Sequence, residues 1–512
     1  MSNNVSDNNK RIARNTVLLY VRMILIMIVT LYTSRVILQS LGVIDFGIYN
    51  VVGGVVAMMG ILNGAMSASV SRYLTYELGT GNKEQLKRVF SVSIISYLAL
   101  GGILFILAET VGLWFVNTQL VIPDDRIVAT NWVYQFSILS SIVLLIENPF
   151  LADIQSHERM DAYAYISIIE VVLRLLIAYL IVVIPADRLI TYGILLFASS
   201  VIITLSYVIY CLKNFEETYF RVYKGTKPLF KEMILYSGWN LFGSAAGLVK
   251  GQGLNILLNV FFNPAVNAAR GIAYQVNGAL TNFSTSFFTA VRPQIIKYYA
   301  QNERAEMFKL VFRSSRFSYY LLFLLSLPII IEAPFIIQLW LGQLPDYVVP
   351  FVRVIILISM VDAIGQPIMT ATHATGKIAL YQSVVGTMTL LNIPISYLFL
   401  KMGYSPMIVF YISLSISVIQ IFVRLLILNS IIKVPMREYV INVLGTCSIV
   451  SIVAAVIPTY IHFKLQPGWQ ATLVVCLACV LFTSMSIWWI GMNRKERLMI
   501  KSYVTRILKK QK

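Results

Sequence analysis

The stretch Leu31–Asn50, LYTSRVILQSLGVIDFGIYN, carries a permanent cation and then a polar turn within an otherwise apolar region. Long apolar runs flank it, and a membrane-spanning helix needs about 20 such residues. The stretch therefore predicts a tight hairpin between two spans, with Gly42 and Gly47 allowing the reversal and Asp45 in water. Arg35 falls near the outer end of the first span. The aromatic pair is expected at headgroup level: Phe46 and Tyr49.

The composition excludes a soluble protein. Of 512 residues, 58% are hydrophobic and 12% are charged, whereas a soluble domain has about 25% charged residues. The mean hydropathy is +0.76. These values predict an all-α polytopic membrane protein.

Fourteen segments are long and apolar enough to span a membrane. Their approximate limits are 16–38, 46–70, 89–116, 127–150, 162–184, 189–212, 233–262, 265–290, 314–341, 348–370, 378–401, 405–430, 437–462 and 468–492. With the N-terminus in the cytoplasm, 30 of the 41 Lys and Arg residues lie inside, four on outer loops and seven within spans. One missed or extra span would invert every later loop, so this bias predicts fourteen spans with both termini inside.

The net charge of +18 then comes from the basic residues that orient the spans and contact anionic lipids on the cytoplasmic side. No nucleic-acid partner is predicted. Cys476 and Cys479 form a C-x-x-C within an apolar run, and the three histidines are scattered: His157, His373 and His462. We therefore expect no metal site and no cofactor.

The outer loops reach only about ten residues, too short for a catalytic domain, so no enzymatic activity is predicted. The apolar run after the polar N-terminus is long, which predicts an uncleaved first span.

The second half of the chain repeats the first at an offset of 222 positions. EQLKRVFSVS (Glu84–Ser93) aligns with EMFKLVFRSS (Glu306–Ser315) with five identities, although chance similarity of apolar helices is the alternative. Parallel repeats place a transport site between two lobes. The predicted domains are a six-helix lobe (1–212), a cytoplasmic linker (213–232), a second six-helix lobe (233–430), and two extra helices with a basic tail (431–512).

The segment TSRVILQSLGVIDFGIYNVVGGV, followed by SRYLTYELGTGN, resembles bacterial polysaccharide transporters of the Wzx type, the flippases for lipid-linked oligosaccharides. The shared features are an arginine in the first span, an L-G-x-x-D-[FY]-G-x-Y turn, and a second span that ends in a basic elbow. Those transporters belong to the superfamily that also holds MATE multidrug exporters and lipid II flippases. The resemblance implies a MATE-like fold of 14 transmembrane helices, with two six-helix lobes and two C-terminal helices.

The resemblance also implies an activity: moving an undecaprenyl-pyrophosphate-linked oligosaccharide to the outer leaflet by alternating access of the two lobes. The cargo would be an O-antigen (lipopolysaccharide) or capsule/exopolysaccharide repeat unit, and the location a bacterial cytoplasmic (inner) membrane. Implied partners are membrane lipids and the polysaccharide polymerase and glycosyltransferase machinery. A MATE-like cation or drug antiporter and a lipid II flippase remain as alternatives.

Ionisable residues inside a span are costly and mark candidate functional sites. Seven are basic: Arg22, Arg35, Arg174, Lys250, Arg270, Arg353 and Arg424. Four are acidic: Glu109, Glu170, Glu332 and Asp362. The basic surplus favours an anionic substrate such as pyrophosphate, because Arg and Lys side chains bind phosphate oxygens.

Depth within the spans sorts these residues. Arg22, Arg174 and Lys250 lie deepest, and we predict that they form a cationic substrate-binding cavity. Lys250 has no acid on its own helix and is expected to face water. Residues near the outer ends are predicted to be gate residues or interface anchors: Arg35, Arg270 and Arg353.

Glu170 and Asp362 are candidates for coupling to H+ or Na+. Glu170 precedes Arg174 by four residues, so an intrahelical ion pair is the structural alternative. Asp362 lies close to Gly365 and Pro367, which predict a broken helix. A hydrogen-bonded structural carboxyl is the alternative for Asp362.

Overall fold

The computed structural model describes residues 2–57, 59–118, 122–262, 264–342, 344–494 and 496–498, and its regular structure there is entirely helical. The chain divides into two compact units. The first unit consists of Met1–Ala245 and Ile296–Glu303, and the second of Ala246–Ile295 and Arg304–Lys512.

Within the described residues, seven α-helices belong wholly to the first unit. They are α1 (Ser2–Ala57), α2 (Met59–Thr80), α3 (Lys83–Leu107), α4 (Leu113–Thr118), α5 (Ile127–Ser156), α6 (Met160–Val183) and α7 (Arg188–Asn214). A π-helical turn, Ala108–Gly112, joins α3 to α4, and single 3-10 turns occupy Asp124–Arg126 and Glu216–Thr218. Two long helices have residues in both units: α8 (Lys227–Phe261) and α9 (Pro264–Ala300).

The remaining helices belong to the second unit. They are α10 (Arg304–Leu341), α11 (Val348–Ala374), α12 (Ala379–Leu390), α13 (Asn392–Lys401), α14 (Met407–Ile432), α15 (Met436–Tyr439), α16 (Thr446–Lys464) and α17 (Trp469–Ser486). A π-helical segment, Val440–Gly445, joins α15 to α16, and a second one, Ile487–Gly491, follows α17.

Ten helical segments of the described residues are long and apolar enough to cross a membrane. They coincide with the third to sixth and the ninth to fourteenth predicted spans. The other four predicted spans fall on α1, α2, α8 and α9. The predicted all-helical membrane class is therefore confirmed, and the total of fourteen spans stays a prediction.

The repeat inferred from the sequence is also visible in the helix boundaries. Helices α3, α5, α6 and α7 begin at Lys83, Ile127, Met160 and Arg188. Helices α10, α11, α12 and α14 begin at Arg304, Val348, Ala379 and Met407, which gives offsets of 221, 221, 219 and 219 positions. The order of long helices therefore recurs in the second half, close to the offset of 222 read from the sequence. The predicted domain limits themselves stay a prediction.

One central helix organises the packing of each unit. In the first unit, α5 packs against α1, α2, α3, α6 and α7, and its buried Val133, Tyr134 and Ile138 lie in the main apolar cluster. In the second unit, α11 packs between α10 and α14, and α10 also contacts α16 and α17. The two C-terminal helices are thus attached to their unit through α10.

The polar turn in Leu31–Asn50 breaks α1 at a single residue. Gly42 has φ 78° and ψ 170°, a backbone conformation that is essentially restricted to glycine because a Cβ atom would clash with the backbone. The prediction that Gly47 shares the reversal is wrong, since Gly47 has no positive φ and lies within a helix. Phe46 and Tyr49 pack against the main apolar cluster, and their position at headgroup level stays a prediction.

Gly42→Ala is expected to destabilise the protein by about 1–3 kcal/mol, the usual cost of a strained backbone conformation. The matched control is Gly47→Ala, because a Cβ at either position would meet nothing within 4 Å. Only Gly42 has the restricted φ, so the control should be neutral or slightly stabilising. Thermal melting of the two purified variants in detergent measures the difference, and equal melting temperatures would contradict the assignment.

Candidate functional site

A cavity of about 560 Å³ lies within the first unit, between α1, α2, α5, α6 and α7. Its lining is rich in hydroxyl groups, contributed by Thr30, Thr33, Tyr49, Ser137, Ser140, Ser141, Tyr192, Ser199 and Ser200. These residues come from helices that contain predicted spans, where small polar side chains exposed to hydrocarbon are unfavourable. The cavity can therefore hydrate or bind a polar group within the membrane.

Glu170 and Arg174 provide the charges of this cavity. Arg174 Nη2 donates to Glu170 Oε1 at 2.7 Å, so the intrahelical ion pair considered as an alternative is present. Arg174 Nη1 also donates to Thr30 Oγ1 on α1 at 3.3 Å. The Arg174 side chain remains 40% exposed, and a guanidinium has five N–H donors. It can therefore hold Glu170 and still contact an anion in the cavity.

Arg22 lies on the same side of α6, about two helical turns from Arg174. Its Nε donates to Ser167 Oγ at 2.5 Å, and its guanidinium lies 4.2 Å from the ring centroid of Tyr163. Ser167 and Arg174 are seven residues apart on α6, or about 10 Å along the axis. Arg22 and Arg174 thus occupy one α1–α6 interface, with Arg22 closer to the predicted cytoplasmic end.

Glu147 is a buried acid that our sequence prediction missed, although it lies within the fourth predicted span. Its side chain is 8% exposed and accepts a hydrogen bond from Thr204 Oγ1 at 3.0 Å. Glu170 is close enough to interact with it electrostatically. Counting Glu147 raises the acidic residues within the predicted spans to five against seven basic ones, so the surplus of positive charge is smaller than expected. An inspection of span four for acids would have found it.

Lys250 belongs to the second unit, in α8, and is half-buried. It has no acid on its own helix, but Asp362 on α11 and Arg270 on α9 are close enough to interact with it electrostatically. The second unit therefore holds Lys250, a predicted substrate residue, close to Asp362, a predicted coupling residue, and Arg270, a predicted gate residue. Among the α8 glycines, Gly253 is approached closely, because a Cβ there would lie 2.6 Å from Ile393 Cδ1.

The environment of Asp362 differs from the prediction in one respect. Helix α11 is continuous through Pro367, so the predicted helix break is wrong. Gly365 instead accommodates Arg424, since a Cβ on Gly365 would collide with the guanidinium. Buried Tyr381 interacts electrostatically with both Arg424 and Asp362, which places these charged groups around one tyrosine.

Two of the predicted outer-gate residues make structural contacts in the second unit. Arg270 donates to Gly251 O at 2.8 Å and to Asn255 Oδ1 at 3.1 Å, which ties α9 to α8. Arg353 Nε donates to Ile330 O at 2.8 Å. That carbonyl loses its helical partner because Pro334 has no N–H. The side chain of Arg35 lies outside the described residues, and the gate role of all three stays a prediction.

Solvation of Asp45 in the polar turn is the expectation from the sequence, but the structure places this carboxylate in an ion pair with Arg126. Arg126 Nε donates to Asp45 Oδ1 at 2.8 Å, and its Nη1 donates to Asp187 Oδ2 at 2.6 Å. Asp187 also caps α7 by accepting from Leu189 N and Ile190 N. Burial would raise the pKa of Asp187, but the hydrogen bond from Arg126 and these backbone bonds hold it below its ordinary value. The turn motif therefore joins three loops that the predicted topology places outside.

Glu332, one of the acids within the predicted spans, joins both C-terminal helices to α10. It is 5% exposed and lies at a kink with φ −95° and ψ 18°. His462 Nδ1 lies 2.6 Å from its Oε1, and Thr472 Oγ1 donates to its Oε2 at 2.9 Å. The partners are 130 and 140 positions away, a separation that no local pattern could reveal.

Known structures show the same fold. A point mutant of a MATE transporter matches with a TM-score of 0.72 and 12% identity, over 83% of this chain and 96% of that chain. The MATE transporter ClbM in complex with Rb+ matches with a TM-score of 0.69 and 14% identity, over 84% and 96%. A MOP superfamily transporter from Pyrococcus furiosus, described as having a binding pocket of reverse polarity, matches with a TM-score of 0.67 and 13% identity, over 83% and 95%. At such identities these matches establish the fold alone.

The sequence comparisons supply the family. No curated protein matches the chain. The family model described as "Polysaccharide biosynthesis protein" matches residues 12–299, more than half of the chain. That range contains the whole cavity of the first unit and both Arg22 and Lys250. The chain has a MATE-like fold with the many apolar helices of a multi-pass membrane protein, and it belongs to the polysaccharide biosynthesis protein family.

Proposed function

We propose that the protein is a flippase that moves an undecaprenyl-pyrophosphate-linked oligosaccharide from the cytoplasmic to the outer leaflet of a bacterial inner membrane. The observation that carries this proposal is the cavity of the first unit, in which hydroxyl groups surround Arg174. Hydroxyls exchange hydrogen bonds with sugar hydroxyls, and a guanidinium binds phosphate oxygens in a fork. Both chemistries are needed for a pyrophosphate-linked glycan.

Helix α9 adds a polar stripe in the second unit. Gln275, Asn282, Ser286 and Thr289 follow one another at intervals of seven, four and three residues, which places them on one helix face. Gln275 and Asn282 are exposed, and the other two are partly exposed. The stripe extends about 21 Å along the helix, and amides and hydroxyls at that depth favour contact with water or a glycan over contact with lipid.

The orientation forms part of the proposal. With both termini in the cytoplasm, Asp45, Arg126 and Asp187 lie on outer loops, and His462 and Thr472, which contact Glu332, lie at the outer ends of the last two predicted spans. The observed contacts thus join residues that the predicted topology places on one side. The long basic segments then face anionic lipids and, on the cytoplasmic side, the glycosyltransferases that build the cargo. The polymerase would receive the cargo on the outer side.

The driving force is proposed from the charges. Outward movement of an anion is favoured by a negative-inside potential, by about 2.3 kcal/mol per charge per 100 mV. Glu170 and Asp362 remain the proposed residues for coupling to H+ or Na+. Their settings differ: Glu170 is paired with Arg174, whereas Asp362 lies near Lys250.

The main alternative is a MATE-like antiporter for cations or drugs, and Glu147 favours it. A buried carboxyl that interacts electrostatically with Glu170 could bind a proton or a metal cation. A lipid II flippase is a variant of the first proposal, with a different glycan on the same lipid carrier.

Deletion of the protein in its host tests the proposal. A flippase mutant is expected to accumulate one undecaprenyl-pyrophosphate-linked oligosaccharide in the inner leaflet and to lose the corresponding surface polysaccharide. Mass spectrometry of extracted lipids identifies the cargo and separates lipid II from other glycans. A deletion strain with normal lipid-linked glycans and increased sensitivity to cationic drugs would support the antiporter instead.

A further inference from the structure

Three potential metal ligands meet at the predicted cytoplasmic end of the first unit. Asp153 lies near the end of α5, His157 follows four residues later, and Glu217 lies in the short turn after α7. Among the described residues these three form a group whose ligand atoms all lie within 4.8 Å of one another. His157 Nε2 is 2.6 Å from Glu217 Oε1 and 3.8 Å from Asp153 Oδ1.

Asp153 is the unusual member of this group. It is 0% exposed, and within the described part of the chain neither carboxylate oxygen accepts a hydrogen bond. A buried carboxylate without hydrogen bonds is strongly unfavourable unless a cation compensates its charge. Its Oδ1 lies 3.8 Å from His157 Nε2, so of the two carboxylates in this group only Glu217 is within hydrogen-bond distance of the imidazole.

The surroundings hold the imidazole in place. Phe215 stacks on the His157 ring, with 4.0 Å between ring centroids and 7° between planes, and Phe215 is itself buried. The stacked ring directs Nε2 at both carboxylates. A supported ring orientation is typical of histidines that bind metal ions.

We propose that Asp153, His157 and Glu217 bind a divalent first-row transition-metal ion, with Zn²⁺ as the best fit. One imidazole nitrogen and two carboxylates form a ligand set that suits Zn²⁺, whereas Ca²⁺ and Mg²⁺ prefer sites built wholly of oxygen. Two carboxylates neutralise the divalent charge, which removes the cost of burying Asp153. Metal binding displaces the proton between His157 and Glu217, and the two ligand atoms move apart to make room for the ion.

The ion would attach the start of the predicted linker to the end of α5. Glu217 belongs to the first residues of segment 213–232, while Asp153 and His157 follow the fourth predicted span. The proposal reverses our expectation that scattered histidines exclude a metal site. The sequence alone could not indicate this group, because Glu217 lies 60 positions from His157, beyond any spacing motif.

Zinc binding by the full-length protein in detergent tests the proposal. The protein is stripped with a chelator, its affinity tag is removed, and Zn²⁺ is titrated with detection by calorimetry and by elemental analysis after dialysis. We expect about one tightly bound ion per chain, with at least a tenfold loss of affinity in Asp153→Asn and in His157→Gln. The matched control is His462→Gln, because His462 also contacts a glutamate at 2.6 Å but belongs to no group of three ligands among the described residues.

Thermal melting is the second readout. Zn²⁺ should raise the melting temperature of the unmodified protein and of His462→Gln, because an ion that binds the folded state stabilises it. The increase should vanish in Glu217→Gln, which replaces a buried carboxylate in a short 3-10 turn with an amide of the same shape and is expected to fold even if Asp153→Asn does not. The proposal is overturned if the unmodified protein binds no Zn²⁺, or if the site variants bind it as tightly as the control. An imidazolium between two carboxylates would then account for the cluster.

Discussion

Replacing Glu158 with alanine is expected to lower the free energy of unfolding by about 3–5 kcal/mol, the cost of removing one partner from a buried ion pair. The Glu158 side chain is 0% exposed, accepts a hydrogen bond from Lys297 Nζ and forms an ion pair with Arg11 Nε, each at 2.7 Å. Its backbone oxygen also accepts from Asn15 Nδ2 at 3.1 Å. Alanine would leave two cations without their shared carboxylate. Thermal or denaturant unfolding of the purified protein measures the effect.

The matched control is Glu306→Ala. Glu306 pairs with Lys309 at 2.6 Å, but on the surface, where the lysine is 71% exposed, so its loss should cost less than about 1 kcal/mol. Glu158 has a positive φ of 59°, which strains alanine and glutamate alike. The difference in stability loss between Glu158→Ala and Glu306→Ala therefore measures the ion pairs and not the backbone strain. Equal shifts in the two variants would show that the Glu158 contacts do not stabilise the first unit.

Replacing Arg174 with alanine is expected to reduce transport about 10- to 100-fold while the protein still reaches the membrane. A hydrogen bond to a charged group contributes about 1.5–3 kcal/mol, and each 1.4 kcal/mol corresponds to a factor of ten. Arg174 lines the cavity of the first unit, so an anionic cargo would lose its principal cationic contact there. Complementation of the deletion strain, scored by surface polysaccharide per amount of membrane protein, measures the loss.

Arg174 also neutralises Glu170, and a double variant separates the two roles. If Arg174 serves only its ion pair, Arg174→Ala combined with Glu170→Ala should recover activity, because no unpaired acid remains. If it binds cargo, the double variant should be as defective as Arg174→Ala and more defective than Glu170→Ala alone, which measures the loss of the proposed coupling role of Glu170. The control is Arg188→Ala, an exposed arginine that donates to Ser40 O at 2.8 Å. Full activity of Arg174→Ala would contradict the proposal that the cavity binds an anionic cargo through Arg174.

Much of the fold could be predicted because membrane helices carry local signals. Ten predicted spans coincide with long apolar helices, and the restricted backbone falls on a glycine of the polar turn, Gly42. The offset between the two halves recurs in the helix starts, since both halves are built from similar sequence. Partners distant in sequence leave no such trace. Asp45 and Arg126 are 81 positions apart, and Arg126 and Asp187 are 61 apart.

The candidate site was predictable by residue type and depth, but not by partner. The i, i+4 spacing predicts the Glu170–Arg174 pair, because helix geometry alone brings the two side chains together. Lys250 looked isolated because its acid, Asp362, lies on a different helix. Pro367 suggested a broken helix, yet α11 continues through it, since neighbouring groups can compensate for a lost hydrogen bond in a membrane helix.

The most direct test of the central claim is a reconstituted translocation assay. Purified protein is placed in vesicles containing the lipid-linked oligosaccharide from the deletion strain, and the glycan exposed on each leaflet is measured with a membrane-impermeant glycosidase. We predict protein-dependent transfer well above that of empty vesicles, reduced at least tenfold by Arg174→Ala together with Lys250→Ala, and unaffected by Lys401→Ala. Transfer no faster than in empty vesicles, combined with cation-driven efflux of an organic cation, would contradict the claim and establish an antiporter.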